Sequence, residues 1–394
     1  MWTMASRLPM ILDALALAEG DPPVRRLVDA FGREPIAVAE RSFGEPATHS
    51  RRLRFAAGGE LILHDDMLVA VLLHTVPTTT ATTVTSAIDL SEWLDGASNA
   101  ATLDDLKKAI AGRRRFAGFG TPHFELDGGY ARAEFKDHRG WNDPGNLVAL
   151  AFTVEQPGLT CRPEDDDCPS CSELVMRDEA EELDVEKTVA SLTQAVAAGN
   201  LKEDPSWVGL EDLLAMHGSG LMERVESQLT CQTCRRILCI ALEKGPKSTV
   251  VYLALNEARR HRLGAIPPVE DWGSAERIAQ ERDAMHYVDH EPGRWFLVEQ
   301  GDQLYLDARY VVSDMVDDSA LIALDDAETE RYRSTGRTFL ASLAERIHNG
   351  SPHREASPFF PRDLKRGPEG AAYRDAVSKA IVNHTWLARQ RSES

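Results

Sequence analysis

Six cysteines, all between residues 161 and 239, are the side chains whose type and spacing could do chemistry. Four of them form two Cys-x-x-Cys pairs, Cys168 with Cys171 and Cys231 with Cys234. Each pair can place two thiolates on one side of a tight turn, and four thiolates complete a closed tetrahedral zinc site. A closed site has no open coordination position. The spacing therefore predicts these four cysteines as ligands of a structural, non-catalytic zinc ion.

The segment that starts at Cys231 resembles the second half of a zinc ribbon, in which a knuckle leads directly into a β-strand. Here Cys231-Gln-Thr-Cys234 is followed by Arg-Arg-Ile-Leu-Cys-Ile. The stretch between the two pairs is longer than in a compact ribbon and contains predicted helices. The zinc would then join a strand pair across an inserted subdomain.

Two other states of these cysteines are open at this point, namely unligated reduced thiols and redox or disulfide chemistry. Redox catalysis is disfavoured, because Cys168 follows the acidic run Glu164–Asp167, whose charge raises a thiol pKa. Cys161 is a possible substitute ligand. Cys239, at strand spacing, is predicted to be a small buried hydrophobic residue.

A competing interpretation is a metal-dependent enzyme, a hydrolase, with a site built from His217, His286, His290 and nearby carboxylates. His286 and His290 have the i, i+4 spacing that places two imidazoles on one helix face, and Asp289 could orient them. A Pro-Gly pair follows at once, so the pattern favours a polar helix terminus over a metal site.

The remaining polar motifs favour plain structural roles. His64-Asp65-Asp66 lies between two apolar runs and is predicted as a hairpin turn. The basic clusters Arg113–Arg115 and Arg259–Arg262 are predicted as solvated faces. The sequence has no nucleophile elbow, phosphate-binding loop, dinucleotide fingerprint or His-Glu-x-x-His motif, so whether the protein is an enzyme stays open, with a non-enzyme favoured.

An internal duplication is predicted in the N-terminal part. Phe43-Gly-Glu-Pro46 is repeated as Phe119-Gly-Thr-Pro122, each after a helical pattern and each before strands. The Gly-Gly pairs that begin at Gly58 and Gly128 permit the positive φ of a tight hairpin. Two helix-plus-antiparallel-sheet units are therefore expected, at 22–77 and 102–157. Two unrelated α+β hairpin units would show the same pattern.

This order of helix, Gly-x-Pro step and curved sheet resembles the tandem repeat of β-lactamase inhibitory protein and of the small outer-membrane assembly lipoproteins. The resemblance implies a protein-binding surface rather than catalysis. The chain departs from that pattern in having no lipobox, no secretion signal and no disulfide pair within the repeat.

Three domains are predicted: 1–157 with the duplicated unit, 158–266 with the zinc knuckles and a helical insertion, and 267–394 with a hairpin and helices. The fold class is therefore α+β. The elements predicted beyond residue 157 are helices at 184–198, 210–216, 275–285 and 371–387, a helix capped by Asp325, and strands at 237–242, 249–255, 294–299, 303–311 and 320–324.

The charge indicates the kind of partner. With 44 Lys+Arg against 63 Asp+Glu, the net charge is −19, and such a field repels nucleic acid. No apolar run approaches the ~20 residues that span a bilayer, and the N-terminus makes a poor signal peptide, so the cytoplasm is expected. The leading hypothesis is a non-catalytic protein that binds a basic protein partner, most concretely an immunity or antitoxin-type inhibitor of a bacterial toxin. An adaptor subunit of a larger complex is a further alternative.

Overall fold

The computed structural model describes residues 6–79, 84–110, 112–115, 123–137, 144–245, 247–262, 264–313 and 316–393. The chain forms two compact units: unit 1 contains residues 1–204 and 224–262, and unit 2 contains residues 205–223 and 263–394. Helices and antiparallel sheets occur in both, which confirms the α+β class. The three-domain boundaries stay a prediction. In the part of the chain described, no helix has both the length and the apolar character needed to cross a membrane.

The elements follow in chain order. The first region contains α1 (Leu8–Ala14), α2 (Pro22–Phe31), β1 (Ala37–Phe43), β2 (Thr48–Arg54), β3 (Gly59–His64), β4 (Met67–His74), α3 (Leu103–Ile110), β5 (Arg113–Arg115), β6 (His123–Leu126), β7 (Gly129–Lys136) and β8 (Asn146–Thr153). The middle contains α4 (Val185–Ala197), β9 (Leu201–Glu203), α5 (Leu210–Ser219), β10 (Arg224–Cys231), β11 (Ile237–Glu243), β12 (Ser248–Leu253) and α6 (Leu255–Ala258). The last region contains α7 (Ala275–Arg282), β13 (His286–Glu291), β14 (Trp295–Gln300), β15 (Gln303–Ser313), β16 (Val316–Ala323), α8 (Asp326–Thr335), α9 (Arg337–Asn349) and α10 (Gly370–Glu393).

Unit 1 contains an eight-stranded antiparallel sheet in the order β1-β2-β3-β4-β8-β7-β6-β5. Each half of the first region supplies four consecutive strands, and their last strands, β4 and β8, pair at the centre. Gly58 and Gly128 precede β3 and β7 with φ of 92° and 101°, which confirms the predicted turns. Asp65 and Asp66 form the predicted turn between β3 and β4, both with positive φ. Phe119–Pro122 lies outside the described residues, and the duplication stays a prediction.

The main core of unit 1 lies on one face of this sheet, against the helices. Strand alternation places Leu61 and Leu63 in that core and Ile62 in a small apolar cluster on the other face. Phe31 of α2 stacks on Trp93, with the ring centroids 4.5 Å apart. The two large aromatic rings therefore connect α2 to the loop that follows the central strand β4.

A second sheet in unit 1 has the order β12-β11-β10-β9. It confirms the predicted strands at 237–242 and 249–255 within a residue or two. The predicted helix α4 is also present, and its first turn is capped by Asp184, whose side chain accepts a hydrogen bond from the Lys187 N–H. The hairpin of β10 and β11 directly connects the second cysteine pair to this sheet.

Unit 2 contains a four-stranded sheet, β13-β14-β15-β16, whereas the sequence predicts three strands. The additional strand is β13, which pairs with β14 along its length. Asp325 caps α8 as predicted, through a capping box with Glu328. The predicted single helix is two helices, because Gly336, with φ 61° and ψ −140°, breaks the helical path.

Gly59 provides a test of the unit 1 core. A Cβ atom at Gly59 would lie 2.1 Å from the Phe31 ring, which is itself stacked on Trp93. We expect Gly59→Ala to lower the free energy of unfolding by about 1–3 kcal/mol, because overpacking forces the ring out of its position. Gly20→Ala is the matched control, since a Cβ there comes no closer than 3.8 Å to another side chain. Equal urea midpoints for the two variants would show that the Phe31 ring does not limit the size of the side chain at position 59.

Candidate metal centre

The two cysteine pairs lie on separate turns. Cys168 follows the short 3-10 turn Pro163–Asp167, and the N–H groups of Cys171 and Ser172 point back to the Cys168 carbonyl. Cys231 ends β10, and the chain turns through Cys234 into β11. The Arg235 N–H donates to the Cys231 carbonyl and closes this turn. Both pairs therefore have the tight-turn geometry of metal-binding knuckles.

The four sulfurs come together as the sequence predicts. All four Sγ atoms lie within 4.8 Å of one another. The Sγ atoms of Cys168 and Cys231 are 3.7 Å apart, and those of Cys171 and Cys234 are 3.6 Å apart. Zn–S bonds of about 2.3 Å at tetrahedral angles place sulfurs about 3.8 Å from each other. These two distances match a single tetrahedral metal ion, and the remaining sulfur pairs, all within 4.8 Å, exceed that spacing by at most about 1 Å.

The two knuckles face each other in register. Besides the two cysteine contacts, the hydroxyls of Ser170 and Thr233 are 2.6 Å apart. Cys168, Cys171 and Cys231 are buried, and Cys234 is half-buried. The site is therefore shielded on most sides, and four protein sulfurs would fill all four positions of a bound ion.

Arg236 supports the sulfurs from the side of the sheet. It is 5% exposed, and its Nη2 lies 3.7 Å from the Cys171 sulfur. The same guanidinium donates to the Asp166 carboxylate and the Asp165 carbonyl, and it lies over the Tyr252 ring. A buried cation beside thiolates offsets part of the negative charge that four thiolates leave around a divalent ion.

Hydrogen bonding within the group separates the pKa values of its thiols. The hydrogen bond with Cys171 and the adjacent Arg236 guanidinium hold the pKa of the Cys234 thiol well below its usual range, despite burial. The same hydrogen bond and burial raise the pKa of Cys171. Burial raises the pKa of Cys168, so the acidic run before it is not the main cause. A thiolate beside its protonated partner is the arrangement from which a metal displaces a proton.

The acidic run Glu164–Asp167 is largely neutralised inside unit 1. Asp166 accepts hydrogen bonds from Ser50 and Arg236 and lies 2.7 Å from His64. Asp167 is 2.6 Å from Arg52, and Glu164 pairs with Arg132. The segment before the first knuckle is therefore attached to the eight-stranded sheet by partly buried ion pairs.

The other two cysteines lie outside this group. The Cys161 thiol donates to the Tyr252 carbonyl at 3.2 Å, so the structure does not use it as a substitute ligand. Cys239 is buried, as predicted, but it also approaches Glu226 and His261 within 4.8 Å. Sequence reasoning missed this second group. The sequence signal that could have indicated it is the presence of two polar residues, Glu226 and Gln228, within a largely buried strand.

The histidines of the alternative enzyme site do not assemble. His286 and His290 lie on strand β13, so the predicted helix terminus is wrong; pairing with β14 overrides the helical spacing. His290 contacts the Tyr287 hydroxyl and stacks on Phe296. The groups of possible metal ligands found among the described residues do not include His217, His286 or His290.

The arginine side chains that the structure describes in the two basic clusters occupy exposed positions. Arg113 begins the short edge strand β5, and Arg259, Arg260 and Arg262 are exposed. These positions confirm a solvated face for the arginines of the second cluster and for Arg113, whereas the side chains of Arg114 and Arg115 lie outside the part that the structure describes. His261, within the second cluster, is the exception, because its ring turns inward to Glu226.

Comparison with known proteins identifies no relative. No protein-family model matches the chain, and neither a curated protein nor a solved structure matches it.

The four-cysteine site makes a prediction about metal content. We expect Cys171→Ser to bind one zinc ion fewer per chain than the wild-type protein, because an alcohol at this position cannot replace the thiolate. We also expect its urea midpoint to fall. Cys161→Ser is the matched control, at a half-buried thiol outside the group, and should keep the wild-type zinc content. Elemental analysis after dialysis measures both, and unchanged zinc in Cys171→Ser would contradict the site.

A second prediction concerns acid stability. Glu60 is 5% exposed; although burial alone raises its pKa, the hydrogen bond from His74 and the charges of Arg52 and Arg54 lower it overall. Its ionised form then stabilises the fold fully above the unfolded-state pKa of about 4.3, and this contribution is lost as pH falls through the folded-state pKa. We expect Glu60→Gln to cost about 3 kcal/mol at neutral pH, since it removes one member of a buried ion pair.

The test compares unfolding free energies of the wild type and Glu60→Gln as a function of pH. The difference between them should shrink below about pH 4. Glu34→Gln, at an exposed position, should give no such difference. A difference that is constant with pH would show that the carboxylate charge is not what stabilises this position.

Proposed function

We propose that a structural zinc ion at Cys168, Cys171, Cys231 and Cys234 holds unit 1 together. The observation that supports this proposal is the near-tetrahedral spacing of the four sulfurs. Thiolate ligands select soft or borderline ions, and zinc is the commonest of these in four-cysteine sites. Because the protein fills all four positions, the ion has none left for a substrate. Its role is to join two chain segments.

The ion would connect two parts of unit 1. One knuckle continues from the acidic segment on the eight-stranded sheet, and the other belongs to the β10–β11 hairpin of the four-stranded sheet. Without the ion, four buried or half-buried thiols would face one another. Arg236 would then keep the Asp166 carboxylate as a partner but lose the negative charge of the metal-bound thiolates. The free energy of metal binding would therefore contribute to the free energy of folding of unit 1.

We further propose that the protein is a non-catalytic binding protein for a basic protein partner, most concretely an immunity or antitoxin-type inhibitor of a bacterial toxin. The feature that supports this is an exposed acidic loop at 178–182, in the segment between the first knuckle and α4. Its carboxylates Asp178, Glu179, Glu181 and Glu182 are all exposed, in a chain of net charge −19. Like charges on an exposed loop attract a complementary partner and speed its association.

The loop is also held in a defined shape. The Asp178 carboxylate accepts from the N–H groups of Ala180 and Glu182. At its base, Arg177 bonds to the Glu45 carboxylate, 2.9 Å away, and to the Gly44 carbonyl. A preformed acidic loop loses little conformational entropy on binding, which favours its use as a recognition element.

The compartment proposed is the cytoplasm. All six cysteines are described, and each is a free thiol. Reduced thiols and thiolate metal sites are typical of reducing compartments, whereas secreted proteins use their cysteines in disulfides.

The binding proposal predicts a charge-dependent interaction. The full-length protein, with lysine at the four acidic positions of the 178–182 loop, should lose at least tenfold in affinity for the protein that the neighbouring gene encodes, which we expect to be a basic toxin. A control variant carries lysine at four exposed carboxylates elsewhere, Glu34, Asp302, Glu330 and Glu369, and has the same net charge. Because local charge complementarity and not net charge sets the affinity, the control should bind more tightly than the loop variant.

Calorimetry at low and high salt measures the interaction. Wild-type binding should weaken as salt rises. Equal loss in both variants would contradict the loop as the contact surface. If the adjacent gene belongs to a metabolic operon and its product does not bind, the immunity assignment is wrong; stable incorporation into a multi-subunit complex would instead favour the adaptor.

A further inference from the structure

A second cluster of potential metal ligands lies in unit 1, on the four-stranded sheet. Glu226 lies on β10, Cys239 on β11, and His261 in the segment after α6. One ligand atom from each lies within 4.8 Å of the other two. Glu226 and Cys239 are fully buried, and His261 is half-buried. A carboxylate, a thiol and an imidazole from three separate elements therefore converge at one point.

The sheet register explains how the two strand residues meet. Glu226 is opposite Ala241 and Gln228 is opposite Cys239, so Glu226 and Cys239 are diagonal neighbours across the two strands. Residues two apart on a strand share a face, and diagonal side chains on that face are within reach of each other. The His261 N–H donates to the Ala258 carbonyl, which holds the histidine beside the same face.

The carboxylate of Glu226 is oriented by its neighbours. His261 Nδ1 is 2.7 Å from one carboxylate oxygen, and Gln228 Nε2 donates to that oxygen at 2.8 Å. Arg224 donates to the other oxygen at 2.6 Å. His261 and Gln228 therefore share one carboxylate oxygen of Glu226, and the Arg224 guanidinium binds the other.

The charges around the cluster leave room for a cation. Arg224 is shared between Glu226 and Glu243, 2.9 Å away, so two carboxylates divide one guanidinium charge. A divalent ion bound by the Glu226 carboxylate and the Cys239 thiolate would be neutral together with them. Arg224 and Glu243 would then form a neutral pair of their own. Buried charges are tolerated when they are balanced in this way.

We propose that Glu226, Cys239 and His261 form a second metal site for a divalent transition ion such as zinc, with a fourth position open to water or an exogenous anion. Cys, His and carboxylate are the ligands that zinc uses, and three protein ligands are the pattern of an open site. Tetrahedral ligands about 2.1 Å from an ion lie about 3.4 Å apart, so the His261 ring needs to retreat from Glu226 by under about 1 Å.

The alternative, in which His261 activates the Cys239 thiol as a nucleophile, fits the geometry less well than a metal site. The imidazole Nδ1 is directed at Glu226, and the Cys239 thiol hydrogen-bonds to the same carboxylate. Burial and the adjacent Glu226 carboxylate raise the pKa of this thiol, which leaves it protonated until a cation displaces the proton.

The test is the metal content of the full-length protein, measured after cobalt(II) titration and by elemental analysis with zinc. We expect two ions per wild-type chain and one fewer in Cys239→Ser and in His261→Ala. Cys161→Ser, at a half-buried thiol that belongs to neither group of ligands, should retain both ions. Both Cys239→Ser and His261→Ala should keep the cobalt–thiolate absorption of the four-cysteine site, which would show that unit 1 is folded.

The outcomes separate this site from the four-cysteine site. One ion per wild-type chain, lost in Cys171→Ser and kept in His261→Ala, would overturn the second site and leave the structural zinc intact. Two ions in the wild type with His261→Ala unchanged would also overturn the assignment. Because His261 is half-buried and outside every strand, its substitution keeps the test valid if Cys239→Ser fails to fold.

Discussion

The buried contact between Arg236 and Asp166 is the interaction on which unit 1 depends. Their side chains are 4% and 5% exposed, and the nearest nitrogen and oxygen are 3.1 Å apart. Removal of either partner would leave an uncompensated buried charge, which costs about 3–5 kcal/mol. Arg236 follows the second knuckle and Asp166 precedes the first. The ion pair therefore brings together the same two segments that the four sulfurs join.

This contact connects the metal centre to the eight-stranded sheet. From Asp166 the contacts continue to Ser50 and His64 on strands β2 and β3. On the other side, Arg236 lies over Tyr252, whose hydroxyl donates to the Cys171 carbonyl. The knuckles thus form against a buried polar network, and the directional hydrogen bonds of such a network favour one arrangement where an apolar contact would permit several.

Local sequence signals predicted many of the helices, strands and turns. They failed where contacts with residues distant in the sequence determine the secondary structure. The two Cys-x-x-Cys pairs, the Asp65–Asp66 turn and the Asp325 cap each depend on a few adjacent residues, and the structure contains all of them. The His286–His290 spacing indicated a helix, but hydrogen bonds to β14 make it a strand. Strand pairing of this kind depends on residues with no nearby sequence signal.

The same limit applies to the charged residues. In the sequence, Glu164–Asp167 reads as a free acidic run beside a cysteine, and nothing nearby shows that Arg52, Arg132 and Arg236 neutralise it. The convergence of Glu226, Cys239 and His261 is equally invisible, because it requires the register of β10 and β11 together with the turn after α6. Side-chain chemistry assembled across strands is known only once the register is known.

The distribution of charge sharpens the meaning of the −19 total. The acidic run Glu164–Asp167 is neutralised within unit 1, where its carboxylates pair with arginines and a histidine. The run at 178–182 is the contrasting case, since its carboxylates point outward and its only arginine, Arg177, anchors the base. Net charge alone does not distinguish these two uses of acidic residues. For the proposed basic partner, the loop is therefore the accessible acidic surface in this part of unit 1, because the carboxylates of the inner run are already paired.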